Sequence, residues 1–240
     1  MSFDNGAIAM NLLAFDTSTE SLSAAVLKGG LLVAEESAAG GPHASASLIP
    51  ALQSLLQRAQ LATSDLDAIV FGRGPGSFTG LRTACAVAQG FGFGGNVPVL
   101  GIDTLHAIAE EARHCAGATQ VVAVLDARMH EVYSARYFYD GTTWSLDGEI
   151  VLARPEVLTV PPGWTLAGNA FDEYGDALPS DVPRVAALPR ATAMLRIAPH
   201  LVAAGHAQDA MRAMPVYIRD KVAQTTDERA AARAAVTPGT

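Results

Sequence analysis

An apolar run ending in a carboxylate occurs twice, as LLAFD (residues 12–16) and VVAVLD (residues 121–126), about 110 residues apart. After the first run, a turn over Ser18–Ser21 leads to LSAAVL (22–27), a Gly29-Gly30 turn and a further extended run over 31–37. Short apolar runs separated by tight turns predict three strands joined by hairpins. After the second run, HEVYSARYFY (130–139) alternates in the same way, and Asp140-Gly141 turns the chain into a third strand-like stretch. Further on, AIVFG (68–72) and TLAG (165–168) are apolar strands that end in small residues. The recurring order predicts a duplicated β-β-β-α-β-α unit. The chain therefore reads as α/β, with mixed sheets flanked by helices, and its 240 residues suffice for two units of roughly 100 residues each.

Between these strands the apolar period changes from two to 3.6. Leu48, Leu52, Leu55, Leu56 and Ala59 fall at helical spacing over 44–60, and Pro50 either bends that helix or marks its true start. A second helix is expected over 78–92, a strand over 99–102, a third helix over 104–114 and another over 191–204. In the second unit the helix near 154–158 is short. Two lobes follow, 10–115 and 116–222, with the last helix expected to pack back on the first lobe. Residues 1–9 read as an extension from an upstream start codon or cloning scar before Met10. PVYIRDKV (215–222) reads as the last ordered segment, and 223–240 as a flexible tail without an apolar stripe.

Composition narrows the function. Half of the residues are apolar and 17% are charged, which builds a core and argues against disorder. No apolar run reaches the ~20 residues of a membrane helix, and the first ten residues lack the basic start of a signal peptide. Cys85 and Cys115 each fall inside an expected helix; as two unpaired, buried thiols they fit a reducing, cytoplasmic setting. Net charge is −8, with Lys28 and Lys221 the only lysines. Gripping a phosphate backbone requires clustered cations, so direct binding of RNA by this chain is not expected.

The most informative segment is GRGPGSFTGLR, Gly72–Arg82. Gly74-Pro75-Gly76 dictates a rigid turn with room for positive φ, and Ser77 or Thr79 is a natural N-cap for the helix behind it. A capped helix start beside a glycine turn suits an anion. A tight strand-to-helix turn explains the same residues without a ligand. No Lys follows the glycines, so this is no Walker loop. Asp16-Thr17-Ser18-Thr19 would be a matching turn in the first hairpin. A phosphate-wrapping hairpin usually places glycine where Thr17 stands, so the backbone can approach closely. The equivalent Asp126 is followed by Ala127-Arg128-Met129, without glycine or hydroxyls. The expected site is thus a degenerate nucleotide or phosphate turn built from Asp16, Thr17, Ser18, Gly74, Gly76, Ser77 and Thr79. Turn-capping carboxylates are the alternative.

Two such units side by side follow the plan of the two-lobed actin-like (ribonuclease H-like, duplicated) fold. LLAFDTST, GRGPGSFTGLR, Asp103-Thr104-Leu105 after VLGI, and PVYIRDKV, in this order from Leu12 to Val222, resemble the TsaB (YeaZ) family. The resemblance implies a non-catalytic scaffold that pairs with its catalytic paralogue TsaD and with the ATPase TsaE. Together these put threonylcarbamoyl on N6 of adenosine 37 in tRNAs reading codons that begin with A. It implies that ATP and metal belong to the partners, that this subunit requires no cofactor, and that it forms a homodimer when alone.

The residues agree with a subunit that does no chemistry. The paralogue holds a metal through two His four apart on one helix. Among His43, His106, His114, His130, His200 and His206 no two are three or four apart, so no helix face presents such a pair. No nucleophile elbow is present. The remaining signal is two helices nearly free of charge. Ala84, Ala86, Ala88 and Gly90 permit close approach of another helix. The resemblance implies that helices 44–60 and 78–92 dock the partner, with Leu48, Leu52, Leu55, Arg82, Cys85, Ala88, Gln89 and Phe93 at the contact; the alternative is that both helices are simply internal. The competing readings are an ATP-dependent phosphotransferase of the sugar-kinase type and a metallopeptidase-like protein.

Overall fold

The computed structural model describes residues 9–40 and 44–219. The expected extension before Met10 lies almost wholly outside these residues, as do the tail 223–240 and His43. Strands β1 (Leu12–Asp16), β2 (Ser21–Lys28), β3 (Leu31–Ala39), β4 (Ala68–Gly74) and β5 (Val99–Asp103) form one five-stranded sheet in the order β3-β2-β1-β4-β5. Strands β6 (Gln120–Asp126), β7 (Val132–Tyr139), β8 (Trp144–Ala153), β9 (Thr165–Gly168) and β10 (Arg184–Ala186) form the second, in the order β8-β7-β6-β9-β10. β1 pairs antiparallel with β2 and parallel with β4, and β6 does the same with β7 and β9. The two sheets repeat one topology. That is the duplication read from the recurring strand and carboxylate, and the fold is the two-lobed actin-like α/β fold.

The helices are α1 (Ala44–Ala59), α2 (Phe78–Gly95), α3 (Thr104–Ala116), α4 (Phe171–Tyr174) and α5 (Ala191–Ala203). In the second unit the position of α1 is taken by a 3₁₀ turn at Pro155–Val157, and the position of α2 by the single turn of α4. The long helices end where their sequence dictates: α2 at Asn96 and α3 at Gly117, both left-handed. Pro50 and Pro199 are carried inside α1 and α5.

Both faces of the first sheet are covered. Leu13, Phe15 and Phe71 pack with Leu48, Leu52 and Leu55 of α1 and with Ala84 and Ala88 of α2. Leu12, Ala14 and Val70 pack with Met194, Leu195 and Ala198 of α5. A fully buried side chain of this size contributes about 1.5–3 kcal/mol. α3 leaves the first sheet yet buries Leu105, Ile108 and Ala112 against Val121, Ala123 and Tyr137 of the second. α5 leaves the second sheet and packs on β1, β2 and β4 of the first. A division at 115/116 follows the chain, and the packing of α3 and α5 crosses it.

Candidate functional site

β1 and β4 are parallel neighbours, so the first hairpin and the glycine-rich turn emerge side by side. They are interlocked there. The Asp16 carboxyl is buried, and its Oδ1 accepts from Ser18 N (2.9 Å) and Ser18 Oγ (2.7 Å). Its Oδ2 is backed by Gly72, where a Cβ would stand 1.8 Å away, and has no hydrogen-bond partner. Burial pushes this carboxyl up to about 7, against the lowering pull of the two Ser18 bonds. Thr17 Oγ1 donates to Gly80 O (2.8 Å), and Ser77 N donates to Ser18 O (2.7 Å). Added Cβ atoms at Gly76 and Gly80 would lie 2.5 Å from Ser18 O and 1.8 Å from Thr17 O. These glycines serve backbone-to-backbone packing. Gly74 alone of the turn requires a left-handed φ, at +117°. Ser77 caps α2 by accepting from Gly80 N.

The degenerate turn expected from the sequence is therefore assembled, but most of its polar groups answer one another. Asp16 and Thr17 are buried away from the cleft between the sheets. Ser18, Gly76, Ser77 and Thr79 line a cavity there of about 680 Å³, with Thr19, Glu20, Asp126, Arg128, Tyr133 and Asn169 opposite or beside them. The second hairpin is unusual: Arg128, Met129 and His130 all have φ near +60°. Non-glycine residues rarely adopt this conformation singly. Asp126 Oδ1 accepts from Arg128 N (2.7 Å) and from Tyr174 OH (3.0 Å), while Asn169 Oδ1 accepts from Asp126 N (3.0 Å). The Arg128 guanidinium pairs with Asp126 and, across the cleft, with Glu20.

The C-terminal segment closes one side of this cleft, which the sequence indicated only as an ordered PVYIRDKV. Val216 N donates to Arg73 O (2.7 Å). Tyr217 lies against Phe78, ring centroids 5.5 Å apart, and its hydroxyl accepts from Arg82 Nε (3.1 Å). Arg219 reaches Glu131 Oε2 (2.7 Å) and Ala127 O (3.0 Å) in the second lobe. Val216, Tyr217, Ile218 and Arg219 all line the cavity.

The expected interface residues divide. Leu48, Leu52, Leu55 and Ala88 are 0% exposed and Cys85 is 5% exposed, all within the core of the first lobe. That assignment is corrected: the leucine stripe of α1 and the Ala84-Cys85-Ala88 face of α2 are sealed by the chain's own sheet. What faces outward is Ile49, Gln53, Ser54, Gln57 and Arg58 on α1, and Arg82, Ala86, Gly90, Phe93 and Gly94 on α2. Phe93 is 79% exposed. Nothing lies within 4 Å of where a Cβ on Gly90 or Gly94 would stand. Gln89 is half-buried because its side chain donates to Ala213 O (2.9 Å).

The described histidines and cysteines do not line this cavity. His106 stacks on Tyr137 (5.2 Å), and burial pushes it down to about 4 against the pull of Asp103 and Glu110, so it is a neutral packing residue. His114, His130 and His206 are exposed and separate. Among the described residues no group of three or more His, Cys, Asp or Glu is placed to hold a metal ion. Cys85 is buried, and burial pushes its thiol up to about 11; Cys115 is exposed, contrary to the expectation that both thiols are buried. Among the described residues no helix is long and apolar enough to cross a membrane.

Comparison with known proteins agrees with the geometry. The family model of TsaD, described as tRNA N6-adenosine threonylcarbamoyltransferase, matches residues 37–236. The tRNA threonylcarbamoyladenosine biosynthesis protein TsaB of Escherichia coli K12 is 34% identical over 227 residues, covering 89% of this chain and 96% of that protein. The TsaB of Haemophilus influenzae is 34% identical over 231 residues, covering 89% of this chain and 95% of that protein. The solved structure of YeaZ from Pseudomonas aeruginosa superposes with a TM-score of 0.81 at 37% identity, covering 87% of this chain and 99% of that one.

Proposed function

Because this chain belongs to the TsaB (YeaZ) family of tRNA threonylcarbamoyladenosine biosynthesis proteins, we propose that it is the non-catalytic scaffold of that modification. In this reading it pairs with the catalytic paralogue TsaD, with TsaE as third component, for transfer of threonylcarbamoyl to N6 of adenosine 37. ATP and metal are held by the partners, and a second copy of the chain takes the paralogue's place when it is alone. The observation that carries the reading is the outward face of α2. Phe93 stands unsupported there beside open approaches at Gly90 and Gly94. A large exposed aromatic flanked by small residues is the chemistry of a helix-helix contact. The interlocked turn supports the non-catalytic role, since Thr17 and the Ser77 N–H are already hydrogen-bonded within the fold. The charge of −8 supports leaving tRNA contact to the partners.

The direct test is mass by light scattering of the chain alone, of TsaD alone, and of the two mixed. A one-to-one complex, formed at the expense of a self-associated form of this chain, is the expected result. Two species that pass through unchanged would remove the scaffold reading. ATP turnover by the purified chain decides against the phosphotransferase alternative if it stays at background, and for it otherwise.

A further inference from the structure

The segment after α5 is a strap with two ends in different places. Its first part runs along α2. Gln208 forms a bridge with Val99 (2.8 and 2.9 Å), Ala210 fills the space opposite Gly92, and Ala213 O accepts from Gln89 (2.9 Å). Met211 and Met214 are left 77% and 66% exposed on the same side of the lobe as α2. Its second part crosses the cleft. Tyr217 is clasped by Phe78 and Arg82, whose guanidinium lies 3.8 Å over the Phe78 ring. Two residues later Arg219 is bound entirely to the other lobe, through Ala127 O, Arg128 O and Glu131 Oε2.

The hairpin gripped by Arg219 is the strained one. Three successive left-handed non-glycine residues, Arg128 to His130, persist only where surrounding contacts over-determine them. Arg219 supplies such contacts, placing a cation on two carbonyls of the turn and on the Glu131 carboxylate that closes it. The same hairpin projects Arg128 to Glu20 across the cleft. Displacing the strap at α2 therefore removes a restraint from the hairpin that spans the lobes.

We infer that residues 208–219 relay docking at the α2 face to the hairpin 126–131, so that a partner seated on α2 tightens the cleft between the lobes. The inference rests on the docking reading given above. It adds Met211 and Met214 to the face the partner covers, takes Tyr217 as the strap's anchor on Phe78 and Arg82, and assigns Arg219 as the positioning residue of the hairpin.

Hydrogen exchange on the full chain, with and without TsaD, tests it. In the unaltered protein, amides of α2 and of 126–131 are both expected to slow on complex formation, the hairpin by roughly threefold or more. In Arg219→Gln the slowing at α2 persists and that at 126–131 is lost. Tyr217→Ala, which cuts the other anchor at an exposed ring, gives the same selective loss if Arg219→Gln folds poorly. An unaffected hairpin beside a protected α2 overturns the relay and leaves docking intact. Equal protection of the hairpin in both variants overturns it as well. Absence of protection at α2 in the unaltered protein overturns the docking reading and the relay together.

Discussion

At the scale of single residues, Asp16 is a carboxyl whose chemistry the fold has altered. It ends the first strand as a cleft carboxylate would, yet it is buried over Gly72 with one oxygen unpartnered. Burial raises its folded pKa to about 7 from 3.8. The unfolded chain releases this proton near the ordinary value, and the folded chain holds it until about neutral pH. Stability from this group is therefore full below pH ~4, declines as pH rises, and is gone above the folded pKa. Asp16→Asn removes the titration and keeps the acceptor for Ser18. Chemical denaturation at pH 5 and pH 8 should show the variant gaining on the unaltered protein by roughly 2–4 kcal/mol over that range. A constant difference between the two pH values would show that Asp16 is ionised in the fold. Gly80 makes a second prediction. Any side chain there meets Thr17 O, which belongs to backbone and cannot swing aside. Gly80→Val should destabilise by about 2 kcal/mol or more in the same assay, although α2 itself would gain helix propensity over glycine.

At the scale of elements, the sequence was informative about existence and type and misleading about orientation. The strands of the first unit, α1, α2, α3 and α5 are all legible from period, caps and glycines. α4 and β10 are too short to carry a period, and the strap 208–219 is held by backbone and side-chain contacts to distant elements. The interface residues were misplaced for a physical reason. Apolar period identifies the face of a helix that must be buried, and in α1 and α2 the lobe's own sheet already buries it. The opposite face of α2 is built from Ala86, Gly90 and Gly94, which leave no hydrophobic signature; only Phe93 stands out. Variants on the two faces separate these roles. Gly90→Arg projects into open space and should leave the thermal midpoint unchanged or slightly higher, while co-purification with TsaD falls at least about tenfold for a loss of 1.4 kcal/mol. Ala88→Arg forces a guanidinium into the core and should abolish the folded protein before pairing can be assayed. If Gly90→Arg pairs normally, the outward face of α2 is not the contact.

At the scale of the whole molecule, the two lobes are joined by exchanged helices, α3 on the second sheet and α5 on the first, with an ion network between them. Glu110 accepts from Arg196 Nε (2.7 Å), Arg113 Nε (2.8 Å) and Trp144 Nε1 (2.9 Å), and Glu111 accepts from Arg196 (2.7 Å). Desolvation pushes the Glu110 carboxyl up, but Arg113, Trp144 and Arg196 together hold it below the usual carboxylate range. Its contribution is therefore present above the unfolded pKa and is lost as pH falls through the folded value. The Arg196 side chain is 9% exposed and those of Glu110 and Glu111 are 3% and 10% exposed, so the pairing is made with little water present. Arg196→Met keeps the length of the stem and deletes the charge shared by two buried carboxylates. Breaking one member of a buried network costs about 3–5 kcal/mol, which for a chain of this size lowers the thermal midpoint by roughly 6–20 °C. Arg190 supplies the internal comparison, because it pairs with Glu111 from a side chain that is 50% exposed. Arg190→Met should cost less than about 1 kcal/mol. Equal effects of the two substitutions in calorimetry at neutral pH would mean that the network does not lock α3 to α5. α3 and α5 would then be held together by apolar contact, and the charge pair to break on opening the cleft would be Arg128 with Glu20.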